Sequence, residues 1–243
     1  MKEIRLCGVR IDNVTKAEAV DRAMEYRGQG ETCVVFTPNA TMLDACRREE
    51  SVRELMECAT LSLPDGKGVL MAARRAKMPM RERVAGIEFG EAVLERAAKE
   101  GTRVFLLGGG DGVAVRAGER LRERYPNLFV CGTHWGYFDR AGEENRRVLE
   151  RIRESGAEIL FVCMGFPVQE RWIVENRAQL ANLRLVAALG GSLDVWSGNQ
   201  KRAPKILSEM GLEWAWRMAR EPRRLKRLPA IIRSVFWGRG SAF

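Results

Sequence analysis

The segment Val104-Phe105-Leu106-Leu107-Gly108-Gly109-Gly110-Asp111-Gly112 decides how this chain folds. Its four apolar residues are typical of a buried strand, and the glycines that follow them predict a tight turn. Residues 113–124 then have the apolar spacing of a helix. A strand that leads through a short turn into a helix is the unit from which parallel sheets are built.

The same alternation of strand and helix patterns runs along the chain on both sides of this segment. The predicted strands are 4–11, 32–37, 61–63, 103–107, 128–132, 158–164 and 184–189. The predicted helices are 15–26, 41–57, 68–76, 88–99, 113–124, 143–154 and 169–180. We therefore predict an α/β fold with a Rossmann-like, mostly parallel sheet and helices on both faces. This core is expected over 1–195, followed by a basic, amphipathic helical appendage over 196–243.

The net charge is concentrated at the C-terminal end. Residues 200–243 contain eleven Lys and Arg against three acids, so they carry +8 of the formal net charge of +9. Apolar residues alternate with these cations and include Trp214, Trp216 and Trp237. Such a segment suits an anionic partner, and nucleic acid, lipid headgroups and a nucleotide diphosphate all qualify. The alternative is an ordinary solvated basic face.

Neither a membrane span nor a disulfide framework is expected. No apolar run approaches the roughly 18 residues that a membrane-spanning helix needs. The first residues lead into no apolar stretch typical of a secretory signal. The six cysteines are widely spaced and form no C-x-x-C pair, which favours reduced core residues. We expect a cytoplasmic protein whose membrane contact is peripheral.

The glycine-rich loop 108–112 leaves three interpretations open. Backbone N–H groups at the start of a helix can hold a phosphate, which makes a nucleotide site plausible. A nicotinamide dinucleotide site would also need an acidic residue at the end of the next strand. That strand ends at Val130-Cys131-Gly132-Thr133, without an acid, so an NAD-type oxidoreductase is weakly supported. The third interpretation is a tight structural turn.

Asp65 is the carboxylate best placed for acid–base chemistry. It follows a predicted strand and stands between Pro64 and Gly66, where it can serve as a general base. The alternative is a Pro-Asp-Gly turn in which the carboxylate caps its own backbone. Metal chemistry is not expected, because the chain has one histidine, His134, and no Asp-x-Asp pair. No cofactor is predicted.

Three arginines near the C-terminus form a spacing suited to a diphosphate. Arg224 and Arg227 are three residues apart, so they project from one face of a helix. Arg217 precedes the break expected at Glu221-Pro222. Three guanidinium groups that converge there can bind a diphosphate through paired hydrogen bonds. Headgroup or solvent contact is the alternative.

Taken in order along the chain, these loops and the tail resemble the bacterial WecG/TagA/CpsF glycosyltransferases. The matching segments are Thr37-Pro38-Asn39-Ala40, Leu63-Pro64-Asp65-Gly66-Lys67-Gly68-Val69, Arg83-Val84-Ala85-Gly86, Leu107-Gly108-Gly109, Gly136-Tyr137-Phe138, 164–172, Gly190-Gly191 with Asp194, and Arg202-Ala203-Pro204 leading to 213–227. No single motif is decisive, but their joint order is specific. One departure is Val168, where many members have a lysine, so a phosphate role at that position is not carried over.

The resemblance implies a metal-independent, inverting transfer of N-acetylmannosamine or a related sugar. The donor would be a UDP-sugar, and the acceptor the 4-hydroxyl of N-acetylglucosamine linked to undecaprenyl diphosphate. The implied catalytic residues are Asp65 as the base, with Thr37, Asn39 and Gln169 near the reacting sugar. The implied binding residues for the nucleotide and diphosphate are Arg83, Gly108, Gly109, Tyr137, Asp194, Arg217, Arg224 and Arg227.

The resemblance also implies where the enzyme works and with what. The appendage would close over the active site and contact the inner face of the cytoplasmic membrane, where the acceptor lipid lies. A homo-oligomer is left open, and so are the donor sugar and the polysaccharide pathway, with teichoic acid synthesis among them. The alternative functions are a nucleic-acid-binding protein that uses the basic tail and an NAD-type oxidoreductase. The near-neutral first 199 residues argue against nucleic acid as a partner.

Overall fold

A computed structural model describes residues 3–26, 32–204, 215, 216, 218, 225, 228, 229 and 233. Its centre is a six-stranded sheet in which every neighbouring pair of strands is parallel. The strands are β3 (Cys33–Phe36), β4 (Leu61–Ser62), β5 (Arg103–Gly108), β6 (Phe129–His134), β7 (Ile159–Cys163) and β8 (Leu185–Ala188). Their order across the sheet is β4-β3-β8-β7-β5-β6. The predicted α/β class and parallel sheet are confirmed.

Helices cover both faces of the sheet. They are α1 (Lys16–Glu25), α2 (Ala40–Arg48), α3 (Glu50–Glu57), α4 (Lys67–Arg75), α5 (Gly86–Glu100), α6 (Val113–Arg124), α7 (Glu143–Glu154), α8 (Val168–Glu175) and α9 (Ser192–Trp196). Successive strand residues point to opposite faces, so Leu160 and Val162 join one core cluster while Phe161 joins the other. The first cluster packs against α2, α3, α4, α7 and α8, and the second against α1, α5, α6 and α9.

The N-terminal segment differs from its prediction. The single strand expected over 4–11 is a hairpin of β1 (Glu3–Leu6) and β2 (Val9–Asp12), which pair antiparallel in a separate sheet. Cys7 and Gly8 make the turn with positive φ angles of 55° and 78°. The single strand was wrong because two residues with positive φ reverse the chain.

Three helix boundaries also differ from their predictions. The helix expected over 41–57 is broken at Glu49, whose extended backbone (φ −131°, ψ 112°) separates α2 from α3. The helix expected over 169–180 ends at Glu175, and the side chain of Asn176 donates to the carbonyl of Trp172. The loop expected at 190–194 contains the start of α9.

The packed core continues past residue 195. Trp196 is buried against Phe161, with ring centroids 5.9 Å apart, and Ala203 is also buried. Most of the predicted appendage lies outside the described residues. Of its described part, Met218 is buried and the indole N–H of Trp216 donates to the carbonyl of Lys201. Among the residues that the structure describes, no helix has the length and apolar character needed to cross a bilayer.

Candidate functional site

The loops that leave the carboxyl ends of the six parallel strands form one continuous edge. In sheet order they begin at Leu63, Thr37, Leu189, Met164, Gly109 and Trp135. The crevice beyond this edge is where parallel α/β sheets bind ligands. Hydrogen bonds join each loop to the neighbouring loop or to the last residue of the neighbouring strand, so the edge is a single connected structure.

On the β4 side, the segment that carries Asp65 is fixed to two neighbours. The backbone N–H of Asp65 donates to the carbonyl of Pro38 at 3.1 Å, which joins the β4 loop to the β3 loop. The backbone N–H of Val84 donates to the carbonyl of Pro64 at 3.0 Å. Gly66 follows with a φ of 86°, and α4 begins one residue later. Asp65 is therefore held, half-buried, immediately before the positive end of a helix.

Thr37 connects the β3 loop to β8. Its hydroxyl lies 3.3 Å from the carbonyl oxygen of Ala188, to which it donates. Gly86 at the start of α5 packs so closely that an added Cβ would lie 3.0 Å from that hydroxyl. Thr37 is thus buried beneath the cleft at the point where three elements meet.

Asn39 caps the helix that leaves the β3 loop. Its side-chain carbonyl accepts hydrogen bonds from the backbone N–H groups of Thr41 and Met42. This is the usual N-cap arrangement, and it fixes the orientation of the amide. The NH2 group of this side chain takes no part in the cap.

Gln169 joins the loops that follow β7 and β8. Its carbonyl oxygen accepts from the backbone N–H of Gly165 at 3.2 Å and from that of Gly190 at 3.0 Å. Its amide nitrogen donates to Glu170 at 2.8 Å. The side chain is buried, with 3% of the residue exposed, so three of its hydrogen-bonding positions are already used within the protein.

The glycine loop approaches its neighbours closely. The backbone N–H of Gly109 donates to the carbonyl of Cys163, and the N–H of Gly136 donates to the carbonyl of Gly109. Gly108 has a φ of 136°, and an added Cβ would lie 2.3 Å from the carbonyl oxygen of Cys163. Only glycine fits there without a shift of the backbone, because no side-chain atom tolerates that separation.

The loop that carries Asp65 and the glycine loop are too far apart for one small ligand to reach both. Four strand spacings separate β4, which leads to Asp65, from β5, which leads to Gly108. At about 4.8 Å per spacing the separation is about 19 Å. The edge therefore suits an extended ligand, or two ligands that meet above the middle strands.

Arg83 lies on the Asp65 side of the cleft and is held by an acid. Its guanidinium group pairs with Glu88 in the first turn of α5 at 2.9 Å. Arg202 pairs with the same carboxylate oxygen and with Glu91. These ion pairs connect the segment around Arg202 to α5, the helix that supports Arg83.

Tyr137 lies on the glycine-loop side of the edge, and Asp194 lies near its middle. Tyr137 is 72% exposed and stands beside Trp135, with ring centroids 6.4 Å apart. Asp194 is in the first turn of α9, close enough to Cys163 to contribute to its raised pKa. Burial is the larger cause and raises the pKa of that thiol to about 12, so it stays protonated at neutral pH.

Glu170 lies within the matching segment 164–172, and the resemblance implies no role for it. It is fully buried and accepts from Gln169 through one carboxylate oxygen, while the other oxygen has no hydrogen-bond partner among the described residues. Burial raises its pKa to about 7. The signal in the sequence is a charged residue beside Trp172 and Ile173 on the buried side of α8.

The predicted arginines of the tail, Arg217, Arg224 and Arg227, lie outside the described residues. Another tail residue that sequence reasoning did not single out, Arg233, contacts the core. Its guanidinium group forms a two-point ion pair with the buried carboxylate of Asp44, at 3.0 and 2.5 Å. Asp44 lies on α2, five residues after the N-cap Asn39, or about 7.5 Å along the helix axis.

Within the described ranges, no group of three or more His, Cys, Asp or Glu side chains lies close enough to share an ion. The one histidine, His134, contacts the carbonyl of Trp135 through Nδ1 and the ring of Phe138 edge-on.

Comparison with known proteins shows the family to which the chain belongs. The model of the glycosyl transferase WecG/TagA/CpsF family matches residues 4–240. Proteins of Staphylococcus aureus strains MW2, MRSA252 and NCTC 8325 are each 33% identical over 231 residues, covering 94% of this chain and 89% of the relative. Each bears the name N-acetylglucosaminyldiphosphoundecaprenol N-acetyl-beta-D-mannosaminyltransferase. The expected family is confirmed, and the chain belongs to the glycosyl transferase WecG/TagA/CpsF family.

Proposed function

We propose that this enzyme transfers N-acetylmannosamine, or a closely related sugar, from a UDP-sugar to N-acetylglucosamine carried on undecaprenyl diphosphate. The acceptor and the transferred sugar follow the name that its relatives bear. The observation that carries the proposal is the connected edge, which holds Asp65 after β4 and the glycine loop four strands away, after β5. An edge of that length has room for a sugar nucleotide to meet a second sugar.

In the proposed reaction Asp65 is the general base. Its carboxylate takes the proton from the 4-hydroxyl of the acceptor sugar while that oxygen attacks the anomeric carbon of the donor. The bond between the anomeric carbon and the diphosphate oxygen breaks, and its electron pair leaves with UDP. Attack opposite the leaving group converts an α-linked donor into a β-linked product, which agrees with the β-mannosaminyl name of the relatives. A positioned base contributes about 10²- to 10⁴-fold.

The side of the site near the reacting sugar is assigned to Thr37, Asn39 and Gln169, with Arg83 beside them for the diphosphate. Asn39 offers the amide hydrogens that its cap leaves over. Gln169 joins two loops that border the reacting centre, so it holds them in position. One of its amide hydrogens is bonded to Glu170, which leaves at most one for the substrate. Arg83, oriented by Glu88, offers positive charge on the same side.

The nucleotide is assigned to the opposite half. Gly108, Gly109, Tyr137 and Asp194 hold the nucleoside end of the donor, because the diphosphate is bonded to the anomeric carbon and must lie nearer to Asp65. Arg217, Arg224 and Arg227 neutralise the charge that builds on departing UDP, in place of a divalent ion. One such contact is worth roughly 2–4 kcal/mol in the barrier. The contact of Arg233 with Asp44, in the middle of α2, is consistent with this role because it brings a residue of the tail to the core.

The proposal includes the location of the reaction. The acceptor is a lipid, so the enzyme works at the inner face of the cytoplasmic membrane, with a core over 1–195 and the basic appendage over 196–243 against the bilayer. A homo-oligomer at this surface is compatible with the proposal.

A transfer assay tests the proposed function. The full-length protein is incubated with a short-chain analogue of the lipid acceptor and a panel of UDP-sugars, with and without EDTA, and the products are measured by mass spectrometry. We expect an added N-acetylhexosamine from UDP-N-acetylmannosamine, at an unchanged rate in EDTA, and a β-linkage by NMR. Absence of transfer with every donor would contradict the proposed function. Loss of transfer in EDTA would contradict the metal independence.

A further inference from the structure

The segment that follows Asp65 has an unusual charge. Residues 66–81 contain five cations, Lys67, Arg74, Arg75, Lys77 and Arg81, and no acid, in a chain with 32 acids among 243 residues. Arg81 pairs with Glu18 at 2.7 Å. The other four cations lie on α4 or in the two residues after it, and all four are exposed.

The outward face of α4 is apolar as well as basic. Val69, Ala72 and Ala73 pack into the core, which leaves Lys67, Leu70, Met71 and Arg74 on the opposite side at helical spacing. Met71 is 44% exposed, which makes it one of few large apolar side chains on the described surface. Leu70 beside it is half-buried. A helix with cations around an exposed apolar residue suits the interface of an anionic bilayer.

The position of this face connects it to the reaction. α4 begins two residues after Asp65, so its first turn is part of the rim of the cleft. α4 and α2 contribute to the same core cluster, so they lie on the same face of the sheet. α2 is also the helix that Arg233 of the tail contacts through Asp44. Arg233 and α4 therefore lie on the same face of the sheet.

We propose that the outward face of α4, formed by Lys67, Leu70, Met71, Arg74, Arg75 and Lys77, is a second lipid-contact surface in the core itself. It rests on anionic phospholipid headgroups beside the cleft, with Met71 inserted among them. This inference depends on the proposed function, which places a bilayer near Asp65. A lipid-linked sugar would then reach Asp65 without leaving the surface, because the helix that follows the base touches the membrane.

The test measures binding of the full-length protein to vesicles by co-sedimentation. The vesicles contain equal parts of phosphatidylglycerol and phosphatidylcholine, or phosphatidylcholine alone. Met71→Glu is compared with Val115→Glu, because Val115 is 49% exposed on α6, which packs against the other core cluster. The two variants make the same change in charge and remove a similar exposed side chain.

We expect the wild type to bind the anionic vesicles, and Met71→Glu to bind about fivefold more weakly, since one charge near the surface has that effect. Val115→Glu should stay within about twofold of the wild type. The proposal is overturned if the two variants lose affinity equally, if Met71→Glu binds as the wild type does, or if the wild type does not bind. It is also overturned if Met71→Glu weakens binding to a short DNA duplex and leaves vesicle binding unchanged.

A second readout separates this proposal from the proposed function. Transfer to a water-soluble, short-chain acceptor does not need a bilayer, so Met71→Glu should catalyse it at the wild-type rate. Loss of that transfer in Met71→Glu would assign Met71 to the site and overturn its role as a lipid contact. Absence of transfer in the wild type would contradict the proposed function while the vesicle result stands.

Discussion

The side-chain amide of Gln169 donates to a carboxylate oxygen of its neighbour Glu170 at 2.8 Å, inside the protein. The same amide accepts from the loops after β7 and β8 through its carbonyl oxygen. All three hydrogen bonds require the same placement of the amide oxygen and nitrogen. Glu170 therefore supports the residue that holds the middle of the cleft together, although it does not face the cleft itself.

Glu170 predicts a specific dependence of stability on pH. Burial raises its pKa from 4.5 to about 7, so the folded protein keeps a proton that the unfolded chain releases. The stabilisation is complete below pH 4.5 and is lost as the pH rises to about 7, a difference of roughly 3 kcal/mol. Glu170→Gln accepts the same hydrogen bond but does not titrate, so it should remove this slope.

Urea unfolding at pH 5, 6, 7 and 8 measures the effect. Between pH 5 and 7 the free energy of unfolding of the wild type should fall relative to that of Glu170→Gln, and above pH 7.5 the difference should be constant. Parallel curves across the whole range would show that Glu170 is ionised in the fold at all these pH values.

The glycine loop gives a second prediction, with a control two residues away. In Gly108→Ala the new Cβ would meet the carbonyl oxygen of Cys163 at a φ of 136°, so we expect a loss of at least about 3 kcal/mol of stability. In Gly110→Ala the nearest atom lies 3.9 Å away and φ is ordinary, so the change should stay within about 1 kcal/mol. Chemical denaturation of both variants checks this, and equal losses would contradict the close approach at Gly108.

The sequence predicted the sheet better than it predicted the hairpin. Parallel strands were recognisable because each is a short apolar run that ends in glycine, proline or a polar residue, as Leu107-Gly108 and Leu63-Pro64 do. The hairpin was missed although its signal is present. Ile4 and Leu6 are buried at even positions and Val9 and Ile11 at odd ones, so the alternation changes phase at the turn.

The site was predictable at the level of loops but not of contacts. Strand ends meet at one edge in any parallel sheet, so Thr37, Asp65 and Gly108 could be brought together from sequence alone. The bond from Gly190 to Gln169 could not, because it joins residues 21 positions apart through a packing that no local pattern specifies. The break at Glu49 was also hidden, since the residues around it are good helix formers.

The boundary between core and appendage gives a third prediction. A chain that ends at Leu193 loses Trp196, whose buried ring packs on Phe161, and should be destabilised by about 3–5 kcal/mol. A chain that ends at Pro204 keeps this contact and the buried Ala203, so it should unfold cooperatively like the full protein. Thermal unfolding of the two truncated chains distinguishes them.

The chain that ends at Pro204 also tests the tail. It lacks Arg217, Arg224, Arg227 and the contact of Arg233 with Asp44, so transfer should fall by at least about 10²-fold although the core is folded. Full turnover by that chain would remove the tail from the proposed mechanism.

The last prediction concerns the base. Asp65→Asn keeps the size of the side chain and the backbone hydrogen bond to Pro38 but removes the group that accepts the proton. We expect kcat to fall by about 10²- to 10⁴-fold. UDP should bind as before, because the glycine loop that is assigned to the nucleoside lies about 19 Å away along the edge of the sheet. Asp21→Asn, the same change on the exposed face of α1, is the control and should leave both quantities unchanged. Transfer kinetics and calorimetric titration with UDP measure the two effects. A loss of UDP affinity equal to the loss of turnover would assign Asp65 to donor binding, whereas unchanged turnover would require a different base.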